Sequence, residues 1–427
     1  MTTALHHTQF EACTKCTVCT AYCPVLEVNP DFPGPKQAGP DGERLRLKDP
    51  VFYDEALKQC INCKRCEVAC PSGVAVGDVI QLARKKYAKP NVSLRDALLS
   101  HTDLMGSLAA TPLAPVANAA AKMAPVKKGL EISLGIPARR DFPAYAPSTF
   151  RRWFEAKAAG AQRAYPEQVA FFHGCYANYN SPDLGKTIVA LLNTLGVGVS
   201  LLQNERCCGV PLMVNGFFAE ARKNALANAK TIGAAAEENL PVLVASTTCA
   251  MTLRDEYPHV LNVDNSAWRS SVVFLTRFLH SLLEKVPRTA FRPLGLKVAY
   301  HTACHMQRLG WAPYSIALLR MIPGLDLRIL PSRCCGIAGT YGFKEENYAM
   351  AQKIGAPLFE EIEASGADLV VTECETCKMQ IEMSAAKRCE HPVTLLAESL
   401  VPHGRREDYF EVSLWKNRGS APNPARG

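Results

Sequence analysis

Apolar positions along the chain follow two different periods. Near the N-terminus they recur at helical spacing, with Phe52, Ala56 and Leu57 facing one way and Val76, Val79, Ile80, Leu82 and Ala83 another. Farther on, short continuous apolar runs lead up to cysteines: V-A-F-F before Cys175, P-V-L-V-A before Cys249, V-A-Y before Cys304, and L-V-V before Cys374 and Cys377. Runs of that length predict buried strands. Residues 272–286 keep helical spacing and read as a core helix. Strands alternating with helical stretches imply α/β units built on parallel sheets.

This second region is an internal repeat. One series is Cys175, Cys207, Cys208-Gly209 and Cys249; the other is Cys304, Cys334, Cys335-Gly336, Cys374 and Cys377. N-G-F near residue 216 answers Y-G-F near 342, and I-G-A at 232–234 answers I-G-A at 354–356. Each half therefore reads strand–cysteine, helix, C-C-G loop, helix, strand–cysteine. Parallel α/β sheets place ligands at the carboxyl ends of their strands, and the cysteines fall there. The glycine after each pair allows a turn with positive φ, so that two adjacent thiolates can face one centre. Five convergent cysteines in the second unit exceed what a zinc ion uses and suit an iron–sulfur cluster. The first unit has Ser246 where the second has Cys374, and its four cysteines fit an ordinary cubane, a zinc ion, or no metal. Cys389 is left over and reads as structural.

The N-terminal region carries a different pattern. Residues 13–24 and 60–71 are both C-x2-C-x2-C-x3-C-P, the run of two-cluster ferredoxins, in which the fourth cysteine ligates the other cluster. One [4Fe-4S] set is then Cys13, Cys16, Cys19 and Cys70, and the second is Cys60, Cys63, Cys66 and Cys23. Zinc motifs use isolated C-x2-C pairs, so a doubled three-plus-one run argues against zinc. Helical patterns flanking the second run favour an all-helical ferredoxin over a β-rich one. Lys64 and Arg65 beside that run could raise its cluster's potential, but read more simply as solvated surface.

Composition narrows the rest. The chain has 427 residues, 48% hydrophobic and 21% charged, the balance of an ordinary globular protein. Its net charge of +8 is too mild to argue for nucleic acid. Eighteen cysteines, with no secretory signal at the start, point to a reducing compartment and to metal. No apolar run is long enough to span a membrane. There is no P-loop and no G-x-G-x-x-G after a strand; L-G-V-G-V (195–199) lacks the third glycine. His173, His301 and His305 stand beside lead cysteines, where each either donates to a cluster or satisfies a strand end. Residues 104–152 hold Lys122, Lys127, Lys128, Arg139, Arg140, Arg151 and Arg152 against Glu131 and Asp141, with Trp153 and Phe154 just after. Basic residues beside apolar and aromatic ones fit an interfacial segment on anionic lipid. The prolines at 112, 115, 125, 137, 143 and 147 equally fit a linker.

The C-C-G series resembles the cysteine-rich domain shared by the B subunit of heterodisulfide reductase and the iron–sulfur subunits of glycolate and lactate oxidation. With F-P-G-P-K-Q-A-G-P-D-G-E-R-L-R-L-K-D (32–49), L-S-H-T-D-L-M-G-S (99–107), F-R-R-W-F (150–154) and H-T-A-C-H (301–305), the chain from about residue 10 to 400 resembles the C subunits of anaerobic glycerol-3-phosphate dehydrogenase. That resemblance implies an electron-transfer subunit with no flavin or substrate site of its own. It would pass electrons from a flavin subunit, which oxidises sn-glycerol 3-phosphate to dihydroxyacetone phosphate, to menaquinone. It would sit peripherally on the cytoplasmic face of the inner membrane, with a further subunit as partner and no nucleic acid. The cluster in the second C-C-G unit would be a non-cubane [4Fe-4S]. Three alternatives stay open: a subunit of glycolate or lactate oxidation, a heterodisulfide-reductase-like catalyst, and a scaffold holding structural metal. The expected architecture is a helical two-cluster ferredoxin domain (1–98), a basic proline-containing segment (99–165), two α/β cysteine-rich units (166–290 and 291–403), and a tail (404–427).

Overall fold

A computed structural model describes residues 8–49, 55–87, 93–285 and 291–400. Phe52 and the tail 404–427 lie outside them. The two C-C-G halves fold into two four-stranded parallel sheets of identical strand order. In the first, β1 (Glu167–Phe172) is flanked by β2 (Val197–Leu201) and β3 (Val242–Val244), with β4 (Val272–Phe274) at the edge beside β3. In the second, β5 (Lys297–Tyr300) lies between β6 (Asp326–Ile329) and β7 (Leu369–Val371), and β8 (Cys389–Glu390) pairs with β7. Phe172 faces Val244 and Val244 faces Phe274; Tyr300 faces Val371 and Val371 faces Glu390. In each sheet the chain leaves the first strand to one side and later returns to the other, which opens a crevice at the carboxyl ends.

Residues 272–286 divide into two elements. Val272–Phe274 is strand β4, and the helix begins at Leu275 and runs to Lys285. The helical spacing misleads there because β-branched Val272 and Val273 complete the ladder against Val242 and Leu243. In L-G-V-G-V, Leu195 and Gly196 make the turn and residues 197–199 are already strand β2.

The units join through reciprocal contacts around one shared core. It takes Leu275, Leu279 and Val189 from the first unit and Val298, Leu318 and Val393 from the second. Where β3 and β7 end, Thr247 N–H donates to the Glu373 carbonyl at 3.1 Å and Ser246 Oγ donates to Glu375 Oε2 at 2.8 Å. The F-R-R-W-F stretch is part of this body. Phe150 and Phe154 are buried, and Phe150 stacks on Trp153 and meets Phe171 edge-on. Phe150 and Phe154 belong to this core, and Trp153 packs against it.

The N-terminal domain is helical, as its flanking patterns imply. Val76–Tyr87 buries Val76, Val79, Ile80 and Ala83; the segment before the second cysteine run is a single 3-10 turn, Glu55–Gln59, with Leu57 buried. The domain rests on both C-C-G units. Arg65 donates to the Ser332 carbonyl at 2.8 Å, Lys85 to the Val260 carbonyl at 2.6 Å, and Arg84 to the Val214 carbonyl at 3.2 Å.

Lys64 departs from the solvated reading. It is 1% exposed and paired with Asp78, with Glu67 at 3.3 Å and with Glu256 at 3.9 Å. Glu256 belongs to the first C-C-G unit, and Arg308 of the second reaches Glu67 at 3.1 Å. A lysine whose sequence neighbours are polar looks exposed until another domain covers it.

Residues 94–134 form four short helices: Leu94–Ser100, Thr102–Ala109, Ala114–Lys122 and Ala124–Leu134. Pro115 and Pro125 sit in the first turns of the last two, where a missing N–H costs nothing. Pro115 and Pro125 therefore start helices, and residues 94–134 are mostly helical.

Candidate iron–sulfur centres

The two ferredoxin-type runs share one local conformation. Lys15 and Asn62, and likewise Thr17 and Lys64, have φ between 52° and 64°, and each run then makes a single helical turn, Val18–Ala21 or Arg65–Val68. Alternating left- and right-handed backbone turns N–H groups inward into a concave nest that suits an anionic cluster. The chain crosses the two runs. Burial, then the charges of Cys13, Cys70 and Cys16, pushes the Cys19 thiol up. Cys23 is pushed up to about 11 by burial, with Cys60 and Cys334 as charged neighbours. Cys63 and Cys66 rise by burial too, Cys63 with Cys334, Cys23 and Cys60 around it. The structure thus groups Cys13, Cys16, Cys19 and Cys70 in one place and Cys23, Cys60, Cys63 and Cys66 in another.

In the second C-C-G unit all five cysteines meet at the sheet's carboxyl edge. Cys335 and Cys377 sulfurs are 3.3 Å apart, and Gly336 N–H donates to Cys334 Sγ at 3.4 Å. Hydrogen bonds from Cys304 and Cys335 hold Cys334 well below the usual thiol range. A hydrogen bond from Cys377 brings Cys374 down to about 5. Gly336 has φ +84°, and a Cβ there would lie 2.0 Å from the Ala351 carbonyl oxygen. Gly355, of the I-G-A motif, would meet the Cys335 carbonyl at 2.6 Å. Both glycines let the helix Glu345–Ser365 press against the loop and fix the pair.

The first unit repeats the arrangement with four cysteines. Cys207 is held low by hydrogen bonds from Cys175 and Cys208, and Cys208 reaches Cys249. Gly209 has φ +100°. Ser246 caps Thr247–Met251 by accepting from Cys249 N–H at 3.3 Å, and Cys374 caps Glu375–Ser384 through Cys377 N–H at 3.5 Å. The serine thus keeps the cap and loses the soft ligand. Among the described residues no group of histidines, cysteines and carboxylates is spaced to hold a single metal ion. Crowded, buried, softly basic sulfurs suit iron–sulfur groups.

The three histidines separate. His173 is satisfied: Nδ1 lies 2.9 Å from the Gly174 carbonyl, and Arg151 approaches Nε2 at 3.2 Å. His305 reaches the Asn62 carbonyl at 3.3 Å, across the domain boundary. His301 is fully buried near Cys334 with both ring nitrogens unpartnered. Cys389 is buried in β8.

Between the two units lies a cavity of 1230 Å³ lined by cysteines of both and by Cys60 and Cys63. The helices of 94–134 cover it. Asp103 accepts from Cys207 N–H at 2.7 Å, and burial and Cys207 push its carboxyl up to about 7. The outer side of these helices is apolar: Leu94, Leu104, Leu108, Leu113, Val116, Met123 and Ile132 are each more than half exposed. Much of the expected basic charge is spent within the protein. Lys127 pairs with Asp141 at 2.6 Å, Lys128 with Glu131, and Arg139 with Glu345 at 3.2 Å. Arg140 is buried against Gln380, and Arg151 donates to the Leu202 carbonyl. Among the described residues no helix is long and apolar enough to cross a membrane.

A helical domain with two crossed four-cysteine sets, packed on paired cysteine-rich α/β units, defines an iron–sulfur electron carrier. Known proteins agree. Residues 9–74 match the 4Fe-4S dicluster domain, and 169–254 and 298–382 each match the cysteine-rich CCG domain. The C subunit of anaerobic glycerol-3-phosphate dehydrogenase from Escherichia coli (strain K12) is 59% identical over 93% of this chain and 100% of its own length. Lactate utilization protein A of Shouchella clausii is 32% identical over 50% of the chain and 89% of its own. The B subunit of the fumarate reductase (CoM/CoB) of Methanothermobacter marburgensis is 24% identical over 89% and 69%. The chain belongs to the family of anaerobic glycerol-3-phosphate dehydrogenase C subunits, and is an iron–sulfur subunit of an oxidoreductase.

Proposed function

We propose that the chain carries electrons from a flavin subunit, which oxidises sn-glycerol 3-phosphate to dihydroxyacetone phosphate, to menaquinone at the cytoplasmic membrane surface. Cys13, Cys16, Cys19 and Cys70 would hold one [4Fe-4S] cluster, and Cys23, Cys60, Cys63 and Cys66 the second. Cys304, Cys334, Cys335, Cys374 and Cys377 would hold a third, of non-cubane type. Cys175, Cys207, Cys208 and Cys249 would hold a fourth group, an iron–sulfur cluster or a zinc ion, since four thiolates suit either. When bound, such clusters supply one-electron transfer at potentials set by hydrogen bonds and solvent access.

The observation that carries this reading is continuity. Cys23 and Cys63 lie beside Cys334, and Cys374 Sγ lies 4.0 Å from Thr248 Oγ1 of the first unit. The second ferredoxin-type set therefore adjoins the second C-C-G set, which in turn adjoins the first unit. Lys64 and Arg308 hold the domains in that register. A scaffold has no need of such a chain of sites.

Anaerobic purification, iron and sulfide analysis and EPR of the reduced form test the proposal. About twelve to sixteen irons with interacting signals are expected; about eight with zinc would leave only the ferredoxin pair as carriers. Cys335→Ser should spare the two ferredoxin signals and stop quinone reduction. Unchanged quinone reduction would remove the second C-C-G unit from the route.

A further inference from the structure

We propose that the cavity between the two C-C-G units is the binding site of a long-chain lipid quinone. Its ring would lie against the cysteine floor, and its isoprenoid tail would leave along the helices Thr102–Ala109, Ala114–Lys122 and Ala124–Leu134. The inference rests on the quinone-linked reading above and goes beyond it by locating the site.

The first argument is size and lining. At 1230 Å³ the cavity exceeds the roughly 300–1,000 Å³ of a pocket for one drug-sized ligand. The cysteine-held groups would take up its floor, and the remaining space lies along the helices. Its walls change character from sulfur at the sheet edges to aliphatic at the helices, where Met105, Ala109, Ala121, Leu130 and Leu134 line it. A planar polar ring with an apolar chain has that same gradient.

The second argument is that these helices are apolar on two sides. Inner-facing Met105 and Ala109 share a helix with outer-facing Leu104 and Leu108. Ala114–Lys122 buries only Ala114, and Ala124–Leu134 buries no side chain. Short helices in water owe their stability to packing of an apolar face, and these leave Leu104, Leu108, Val116 and Ile132 uncovered on the outer side. A lipid surface supplies the cover outside, and the ligand tail supplies it inside.

The third argument is polar. Asn215 lines the cavity, and its buried Oδ1 has no partner while its Nδ2 is held by Ser100, Pro211 and Thr340. An acceptor fixed in that way suits a quinol hydroxyl. Tyr145, near Cys175 and kept protonated by burial, offers a donor to a quinone carbonyl. Reduction consumes two electrons, delivered from the cysteine side, and two protons drawn from water at the cavity mouth. It converts both ring carbonyls to hydroxyls.

The test uses the whole dehydrogenase complex, purified without oxygen, in detergent. The fluorescent quinone analogue 2-heptyl-4-hydroxyquinoline N-oxide is titrated and its quenching read. Wild type should bind it; Ala121→Trp and Leu134→Trp, which fill the walls, should each weaken binding at least tenfold with iron content and EPR signals retained. Leu108→Asn combined with Ile132→Asn should leave this affinity within twofold and abolish attachment to phosphatidylglycerol-containing vesicles. Unaltered binding in both tryptophan variants, with wild type reducing quinone, would overturn the site and leave the quinone-linked reading intact. A wild type that neither binds the analogue nor reduces quinone would overturn both. Release of the flavin subunit by the tryptophan variants would make the cavity mouth a subunit contact and overturn the site.

Discussion

Lys64→Met tests how the ferredoxin domain is held. Burial by itself would lower the ammonium pKa, but Asp78, Glu67 and Glu256 outweigh it and hold it well above the ordinary lysine value. The ammonium is therefore charged at any working pH. Glu67 is itself pushed up by burial, so Asp78 is the main partner. At the 3.9 Å of Lys64–Glu256, a pair in an effective dielectric of 20 is attracted by about 4 kcal/mol, against a dehydration cost of several kcal/mol per ion. Methionine keeps most of the volume and leaves buried carboxylates uncompensated, which costs about 3–5 kcal/mol. At 1.4 kcal/mol per tenfold, amide exchange across Val76–Tyr87 should quicken by about two to nearly four orders of magnitude, read by mass spectrometry on the cluster-loaded protein. Adding Glu256→Gln should restore part of the protection, because one fewer charge is stranded. Protection within threefold of wild type would refute the claim that Lys64 holds the domains together.

His301→Leu should move the second C-C-G signal to more negative potential in an EPR-monitored redox titration and leave the ferredoxin signals in place. The imidazole is buried, its pKa lowered to about 4 by that burial, and its N–H has no protein acceptor, which leaves it free to donate towards the Cys334 side. Ser246→Ala should cost about 1–2 kcal/mol in chemical unfolding, because it removes a helix cap and the hydroxyl that serves Glu375. Ser246→Cys, which copies the cap at Cys374, should recover most of that loss. Gly336→Ala should abolish the second C-C-G signal, since its Cβ would strike the Ala351 carbonyl and its φ adds about 1–3 kcal/mol of strain. Gly129→Ala, with nothing within 4 Å of the new Cβ, should instead gain about 1 kcal/mol of helix stability.

The sequence by itself determined the parts that depend on local spacing. The repeated C-x2-C-x2-C-x3-C-P loops, the two C-C-G series and the turn glycines at 209 and 336 are legible because one short stretch of backbone must shape each of them. Strand runs ending at cysteines are legible for the same reason, since a buried parallel strand leaves a continuous apolar run. What only the tertiary structure decided depends on which surfaces meet. Lys64 looks like a surface lysine until Asp78 and Glu256, far along the chain, close over it. Trp153 and Phe154 read as part of an interfacial segment until the core around Phe171 takes them up. Val272 and Val273 fit a helix until Val242 and Leu243 offer a sheet edge. Lys127, Lys128 and Arg139 read as a basic patch until acidic partners take up their charge. The cavity between the units, and the apolar helices over it, exist only once the two halves dock. Burial and pairing are properties of contacts between distant residues, and a single chain's local pattern does not contain them.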